Sequence, residues 1–327
     1  MKSVIGWGFI GAGGITKRVM NDFKQLGDAR LAAVYSRTGA NAEQLAQPYG
    51  AKAYTDVETM LRDPEVDAVY VATPHHLHME HACLALSLGK PVLCEKPIAP
   101  NAAQVRTMVE KARETGTFLM EAMWTRFFPV TRRVMQWVSD GAIGDVHYLT
   151  ADFGFGASEN PESRLFNPHT AGGSLLDVGV YAVSYASMIF GGKPVEVLSR
   201  SRSTSTGVDA RMACLLEYEN GQMASLYSSI SGSTPQEVRI IGTKGHIEVP
   251  RFWSPREARL FVGNQLEEEF KDEPTGEGFG YEFAAVHEDL RAGRQENALI
   301  PLDESIAIAE TLDRMRAQWG LVYPFEA

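Results

Sequence analysis

The residues 91–97, Pro-Val-Leu-Cys-Glu-Lys-Pro, end an apolar run in a carboxylate, an ammonium and a proline. Read as a buried strand, this run brings Lys96 to the carboxyl edge of a sheet, where open α/β sheets bind ligands. Because Pro97 cannot continue a strand, the chain is predicted to turn directly after the lysine, and the Lys96–Pro97 bond can be cis. The alternative is an ordinary surface lysine at the end of a strand.

A second group that could handle protons lies in a helix predicted over residues 175–190. Ser174 and Asp177 match a capping box, so one interpretation of Asp177 is helix capping. Tyr181 follows four residues later, on the same predicted face, and the phenol alone is typical of a core aromatic. Gly179 inside the helix indicates close packing at that point. A carboxylate and a phenol on one face, in a chain with a strand-end lysine, favour acid–base chemistry.

The first strand, predicted over residues 4–10, leads into Gly11, Gly13, Gly14, Ile15 and Thr16 and then into a helix. A strand, a glycine turn and a helix N-terminus form a phosphate cradle, because glycine lets the backbone approach the anion and unpaired amides attract it. Thr16 stands where a third small residue is usual. The motif predicts dinucleotide binding, with a plain glycine-rich turn as the alternative.

The second strand, predicted over residues 31–35, ends in Ser36 and Arg37, and no acidic residue lies between Asp28 and Glu43. NAD-binding folds generally place an acid here for the ribose hydroxyls, whereas arginine pairs with a 2′-phosphate. The sequence therefore predicts a preference for NADP(H) over NAD(H), with a solvated surface arginine as the alternative.

Four histidines at positions 75, 76, 78 and 81 could suggest a metal site. His78 and His81 would share a helix face, but no cysteine or pair of acids nearby completes a ligand set. Contact with substrate or coenzyme, or a surface or capping role, is favoured, and no metal is predicted.

With 327 residues and a net charge of −10, the chain is expected to form two domains and not to bind nucleic acid. Cys83, Cys94 and Cys214 give neither a disulfide framework nor a zinc pattern, which fits a reducing compartment. No apolar run of membrane-spanning length and no signal peptide are expected, so the predicted location is the cytoplasm.

Strand and helix patterns alternate through residues 1–122, which predicts a doubly wound parallel Rossmann sheet. Residues 142–156, 194–205, 210–230 and 236–249 alternate polar and apolar positions, which predicts that residues 123–327 form an α+β domain with a large, open, mainly antiparallel sheet. The acidic run 267–269 and residues 272–280 are expected to be loop. Two helices are predicted at the end of the chain, and the C-terminal helix can pack back on the first domain.

The glycine turn, Thr73-Pro74 with His78, Glu95-Lys96-Pro97 and residues 172–181 together resemble the glucose–fructose oxidoreductase/inositol dehydrogenase/MocA (Gfo/Idh/MocA) family over essentially the whole chain. Many members carry histidine at the position of Tyr181. Tyrosine there, with residues 121–129, is similar to the branch that contains dimeric dihydrodiol dehydrogenase and NADP-dependent D-xylose dehydrogenase.

The resemblance implies hydride transfer between a nicotinamide and a carbinol carbon of a sugar, polyol or vicinal diol. It implies that Tyr181 and Lys96 handle the proton, with Asp177 orienting the lysine or binding a substrate hydroxyl. The Lys96 ammonium near the phenol would favour the phenolate and so suit Tyr181 as the acid–base group. Lys96 could instead transfer the proton with Tyr181 orienting it, and the sequence leaves both open. The alternatives are a reductase of a dicarbonyl or an anhydro-sugar and a non-catalytic NADP-binding regulator.

The resemblance also implies two sets of contact residues and a homodimer or higher homo-oligomer formed through the open sheet. The expected substrate contacts are Trp124, Phe153, Trp253 and Phe279, each of which could equally be a core aromatic. The expected coenzyme contacts are Gly11, Gly13, Gly14, Ile15, Ser36, Arg37, Thr73, Pro74, His75, His78, Glu95 and Lys96.

Overall fold

In the computed structural model, which describes residues 3–326, the chain divides into two compact units. The first unit runs to Trp124 and includes Thr275–Ser305, and the second comprises Thr125–Pro274 and the chain from Ile306 onward. The sequence-based division placed the boundary after residue 122 and assigned all of 123–327 to the second domain. The return of Thr275–Ser305 to the first unit reflects Phe283, whose ring packs edge-on against Trp7 at 4.9 Å.

The first unit contains a six-stranded parallel sheet in the order β3-β2-β1-β4-β5-β6. This is the expected doubly wound arrangement, whose strand order reverses between β1 and β4, where such sheets bind ligands. The strands are β1 (Ile5–Ile10), β2 (Ala29–Tyr35), β3 (Lys52–Tyr54), β4 (Ala68–Val71), β5 (Val92–Glu95) and β6 (Leu119–Ala122).

The helices of this unit begin and end largely where the sequence predicts. Asn101 accepts a hydrogen bond from Gln104 N at 2.9 Å, and Asp56 caps the short helix that begins at Val57 in the same way. The helices are α1 (Gly14–Phe23), α2 (Gly39–Ala46), α3 (Val57–Leu61), α4 (His78–Ser87), α5 (Ala102–Thr115) and, from the later segment, α8 (Gly280–Arg291).

The second unit contains an eight-stranded sheet in the order β14-β13-β12-β11-β7-β10-β9-β8. All neighbours are antiparallel except β7 and β10, which run parallel, so the sheet is mixed. The strands are β7 (Val146–Gly154), β8 (Glu196–Ser203), β9 (Asp209–Glu217), β10 (Met223–Ser229), β11 (Glu237–Gly242), β12 (Gly245–Pro250), β13 (Glu257–Val262) and β14 (Gln265–Lys271).

The prediction of a loop at the acidic run 267–269 is wrong, because these residues lie within β14. Glu268 accepts hydrogen bonds from Arg133 at 2.8 Å and from the Trp137 indole at 3.0 Å, both on α6 (Pro129–Ser139). These long-range contacts hold a charged edge strand that has little local strand signal.

The helix predicted over residues 175–190 begins as a π-helical turn, Leu175–Gly179, and continues as α7 (Val180–Phe190). The stretch Pro168–Phe190 is long and apolar enough to cross a membrane by length and composition alone. Of its 18-residue apolar window, 78% is buried inside the protein, as in core helices. The last long helix is α9 (Leu302–Trp319).

Candidate active site

The glycine turn between β1 and α1 has the form of a phosphate cradle. Gly11 has a φ of +115°, and a Cβ there would meet the Ala72 carbonyl oxygen at 2.6 Å, so only glycine fits. Beside Gly13 and Gly14 the space is open, and Gly13 is the N-cap residue of α1. Thr16, at the unusual third position, donates its hydroxyl to the Gly11 carbonyl at 3.0 Å and closes the turn. These residues fit a dinucleotide pyrophosphate at a helix N-terminus.

Ser36 and Arg37 follow directly on β2. The Arg37 side chain is exposed and Ser36 is half-buried, and the Ser36 hydroxyl accepts the Thr38 N–H at 3.3 Å. A guanidinium and a hydroxyl therefore stand at the sheet edge where the adenosine ribose of a dinucleotide binds in this fold.

Lys96 follows β5 directly, as predicted, and the Lys96–Pro97 bond is cis. Its neighbour Glu95 is buried and accepts a hydrogen bond from the Tyr70 hydroxyl on β4. Burial, together with the Glu95 charge, raises the pKa of Tyr70 well above its ordinary value, so its hydroxyl stays protonated and donates to Glu95. Lys96 is half-buried at the carboxyl edge of the sheet.

His78 connects the turns that follow β4 and β5. It is completely buried, and its ring nitrogens lie 2.8 Å from the Thr73 carbonyl oxygen and 3.0 Å from the Pro97 carbonyl oxygen. Burial lowers the pKa of His78 to about 4, while the two carbonyls act in the opposite direction. The ring thus ties together the turns that carry Thr73 and Lys96. The coenzyme contact expected of His78 stays a prediction.

The other residues expected near the coenzyme from this loop are Thr73, Pro74 and His75. Thr73 and Pro74 are half-buried, and His75 is 6% exposed with its ring 5.6 Å from that of His78. The described residues contain no cluster of three or more potential metal ligands.

In the second unit, Asp209 anchors the segment that carries Asp177 and Tyr181. Its carboxylate accepts the Ser174 hydroxyl and the Leu175 N–H, both at 2.7 Å. Burial raises the pKa of Asp209 to about 6 against these hydrogen bonds, which lower it. Ser174 makes no side-chain cap hydrogen bond, so the capping box suggested by Ser174 and Asp177 is not formed.

Asp177 forms an ion pair with Arg164, Oδ1 to Nη1 at 2.9 Å. The Asp177 side chain is 12% exposed and that of Arg164 is 47% exposed. Sequence reasoning missed Arg164, because it lies in an irregular loop and gives no local signal of proximity to the helix.

Tyr181 lies against aromatic side chains of the same unit. Its ring is 5.4 Å from that of Phe153, which in turn stacks on Trp253 at 5.0 Å. The Trp253 indole donates to Gln236 at 2.9 Å, and its carbonyl accepts the Thr125 hydroxyl at 2.8 Å. Tyr181 is 7% exposed, with an apolar wall on one side.

The other two aromatics expected to contact substrate belong to the first unit. Trp124 and Phe279 stack with their ring centres 4.0 Å apart. The backbone leading into Phe279 is held by Asp22 on α1, whose carboxylate accepts the N–H groups of Gly278 at 2.7 Å and Phe279 at 2.8 Å. Sequence reasoning missed Asp22, which is far from Phe279 along the chain.

The structure thus groups Phe153, Trp253, Asp177 and Tyr181 in the second unit, and Trp124 and Phe279 in the first. Lys96 belongs to the first unit, so a direct pairing of Lys96 with Tyr181 or Asp177 stays a prediction.

Comparison with known proteins identifies the family. Residues 5–123 match the model of the oxidoreductase family with NAD-binding Rossmann fold, and residues 131–248 match the Gfo/Idh/MocA C-terminal domain. The chain belongs to the Gfo/Idh/MocA oxidoreductase family. It is accordingly an oxidoreductase that acts on CH–OH groups and uses a nicotinamide coenzyme.

Similar members of this family cover nearly the whole chain. The trans-1,2-dihydrobenzene-1,2-diol dehydrogenases of Mus musculus and Xenopus laevis are 39% and 37% identical, over 97% of this chain and 98% and 99% of theirs. Among solved structures, the aldose-aldose oxidoreductase of Caulobacter crescentus in complex with glycerol has a TM-score of 0.89 at 26% identity, covering 97% of this chain and 98% of that one. The 3-ketoreductase KijD10 of Actinomadura kijaniata in complex with NADP has a TM-score of 0.81 at 25% identity, covering 96% and 97%.

Proposed function

We propose that this protein is an NADP(H)-dependent dehydrogenase that oxidises a carbinol carbon of a vicinal diol, with sugars and polyols as related substrates. The observation that carries the proposal is full-length similarity to dihydrodiol dehydrogenases at 35–39% identity. The aromatic wall of Phe153 and Trp253 beside Tyr181 supports it, because flat rings pack favourably on an apolar cyclic substrate.

The bound nicotinamide would accept or supply the hydride at the carbinol carbon. Tyr181 and Lys96 are the proposed proton-handling groups, either by transferring the proton themselves or by stabilising charge on the substrate oxygen. Asp177 is the proposed acceptor for a substrate hydroxyl, and the Phe153 and Trp253 rings exclude water from that side of Tyr181. We place the reaction in the cytoplasm, where Cys83, Cys94 and Cys214 stay reduced.

Preference for NADP(H) rests on Arg37 and Ser36 after β2, where an acid would favour NAD(H). Pairing of an arginine with a phosphate contributes about 1.5–3 kcal/mol. Arg37→Ala is therefore expected to lower kcat/KM for NADP⁺ by about 10-fold to 100-fold and to leave that for NAD⁺ nearly unchanged. Equal kcat/KM values for the two coenzymes in the wild-type enzyme would contradict the preference.

The substrate class is tested by steady-state turnover with a panel of vicinal diols, aldoses and inositols with NADP⁺, and of the corresponding carbonyl compounds with NADPH. Turnover of diols supports the proposal. Turnover of only carbonyl compounds favours a reductase, and coenzyme binding without any turnover favours a regulator.

A further inference from the structure

Arg164 lies in a loop that is built to bring it to Asp177. The Arg164 carbonyl accepts the Thr170 hydroxyl at 2.9 Å, and the Leu165 carbonyl accepts the Gly173 N–H at 2.9 Å. A Cβ at Gly172 would meet the Leu165 and Arg164 carbonyl oxygens at 2.6 and 2.8 Å, so glycine is required for the loop to approach. Gly172 therefore makes room for the backbone that carries Arg164.

The ion pair combines two groups of opposite hydrogen-bonding character at one place. The Asp177 carboxylate only accepts hydrogen bonds, whereas the guanidinium of Arg164 offers five donor N–H groups, and Nη1 makes the contact to Asp177. The Arg164 side chain is 47% exposed, so it stays accessible to a ligand while it is paired with Asp177. Because the two charges cancel, the pair offers no net attraction to an anionic substrate.

The pair also lies close to the proposed reaction centre along the chain. Asp177 precedes Tyr181 by about one helical turn, and the Phe153 ring lies 5.4 Å from that of Tyr181. A residue one helical turn from Tyr181 is therefore a candidate for binding the oxygen next to the reacting one.

We propose that Arg164 and Asp177 together bind the non-reacting hydroxyl of a vicinal diol, with Arg164 donating a hydrogen bond to its oxygen and Asp177 accepting a hydrogen bond from it. Arg164 is thus a specificity-determining residue for neutral diols. This assignment rests on the proposed diol dehydrogenase function. A mono-alcohol has no second hydroxyl to satisfy the pair, so the pair distinguishes the two classes.

The test compares Arg164→Met with the wild-type enzyme on 1,2-cyclohexanediol as substrate and cyclohexanol as competitive inhibitor, with NADP⁺. Loss of a charged hydrogen bond is expected to lower kcat/KM for the diol by about 10-fold to 100-fold, mainly through KM. The inhibition constant of cyclohexanol is expected to change by less than about 3-fold, because cyclohexanol does not use the pair. Arg164→Lys keeps the charge but loses the planar guanidinium, so its kcat/KM for the diol should fall between those of the wild-type enzyme and Arg164→Met.

The matched control is Arg113→Met. Arg113 pairs with Asp303 at 2.8 Å and is 50% exposed, so the same kind of ion pair is lost away from the site. This variant should leave kcat/KM for the diol and the inhibition constant of cyclohexanol unchanged.

The outcomes separate the two proposals. If Arg164→Met weakened kcat/KM for the diol and the inhibition by cyclohexanol equally, the role of Arg164 would be overturned while the diol function stands. An unchanged kcat/KM for the diol in this variant would have the same meaning. Absence of diol turnover in the wild-type enzyme would overturn the diol function, and the role of Arg164 with it.

Discussion

At the scale of single residues, the proposed chemistry depends on Tyr181 and Lys96, one in each unit. Tyr181→Phe and Lys96→Met are each expected to lower kcat by about 100-fold to 10,000-fold, the range typical of a lost acid–base group. Binding of NADPH, measured by fluorescence titration, should stay nearly intact in Tyr181→Phe. The control is Tyr49→Phe, whose side chain lies on the surface of the first unit. A variant that keeps near-wild-type turnover would remove that residue from the mechanism.

Asp209 makes stability depend on pH. Burial raises its pKa from 3.8 to about 6 in the folded state, so the folded protein holds a proton that the unfolded chain releases near pH 4. The contribution of protonated Asp209 to the free energy of unfolding is complete below about pH 4. It is lost as the pH rises through about 6, which lowers the free energy of unfolding by about 3 kcal/mol. Asp209→Asn cannot titrate and lacks this dependence.

Chemical denaturation of both proteins at a series of pH values measures this effect. Relative to wild type, the free energy of unfolding of Asp209→Asn should improve as the pH rises from about 4 to about 7. A constant difference between the two proteins over that range would contradict the raised pKa.

At the scale of elements, Asp22 on α1 holds the backbone that leads into Phe279, whose ring stacks on Trp124. We call these two stacked rings, which are expected to contact substrate, the platform. Asparagine in its place has one acceptor oxygen, and its amide would face the N–H groups that now bind the carboxylate, Gly278 and Phe279 among them. Asp22→Asn is therefore expected to raise KM for a diol by about 10-fold while the dissociation constant for NADPH changes by less than about 3-fold.

The comparison for this variant is Asp56→Asn, which changes an exposed helix cap of the same unit. Asparagine also caps helices well, so this variant should keep the wild-type KM. An unchanged KM in Asp22→Asn would show that the platform does not depend on this anchor.

The elements of the first unit could be predicted because their signals are local. Alternating strand and helix periods, the glycine turn and the caps Asp56 and Asn101 all lie within short windows of sequence. The strand β14 and the π-helical turn could not be predicted, since Glu268 is held by Arg133 and Trp137 and the turn is held by Asp209. The same reason hid Asp22 and Arg164, whose partners lie elsewhere along the chain.

At the scale of the whole molecule, we expect a homo-oligomer formed through the eight-stranded sheet. Leu198 on β8 is 55% exposed and lies directly opposite Leu215 on β9, so an apolar pair faces outward from the sheet. Covering such a pair is favourable. Light scattering should show a dimer or larger species for the wild-type protein and a monomer for Leu198→Glu with Leu215→Glu. A monomeric wild-type protein would contradict this expectation.

The central claim is hydride transfer from a vicinal diol to NADP⁺ with Tyr181 at the proton. It is tested most directly by mixing the enzyme–NADP⁺ complex with a diol deuterated at its carbinol carbons and following NADPH by absorbance. NADPH should form more slowly than with the undeuterated diol, and almost none should form in Tyr181→Phe although that variant binds the coenzyme. Coenzyme binding with no NADPH from any diol, or equal NADPH formation by Tyr181→Phe, would contradict it.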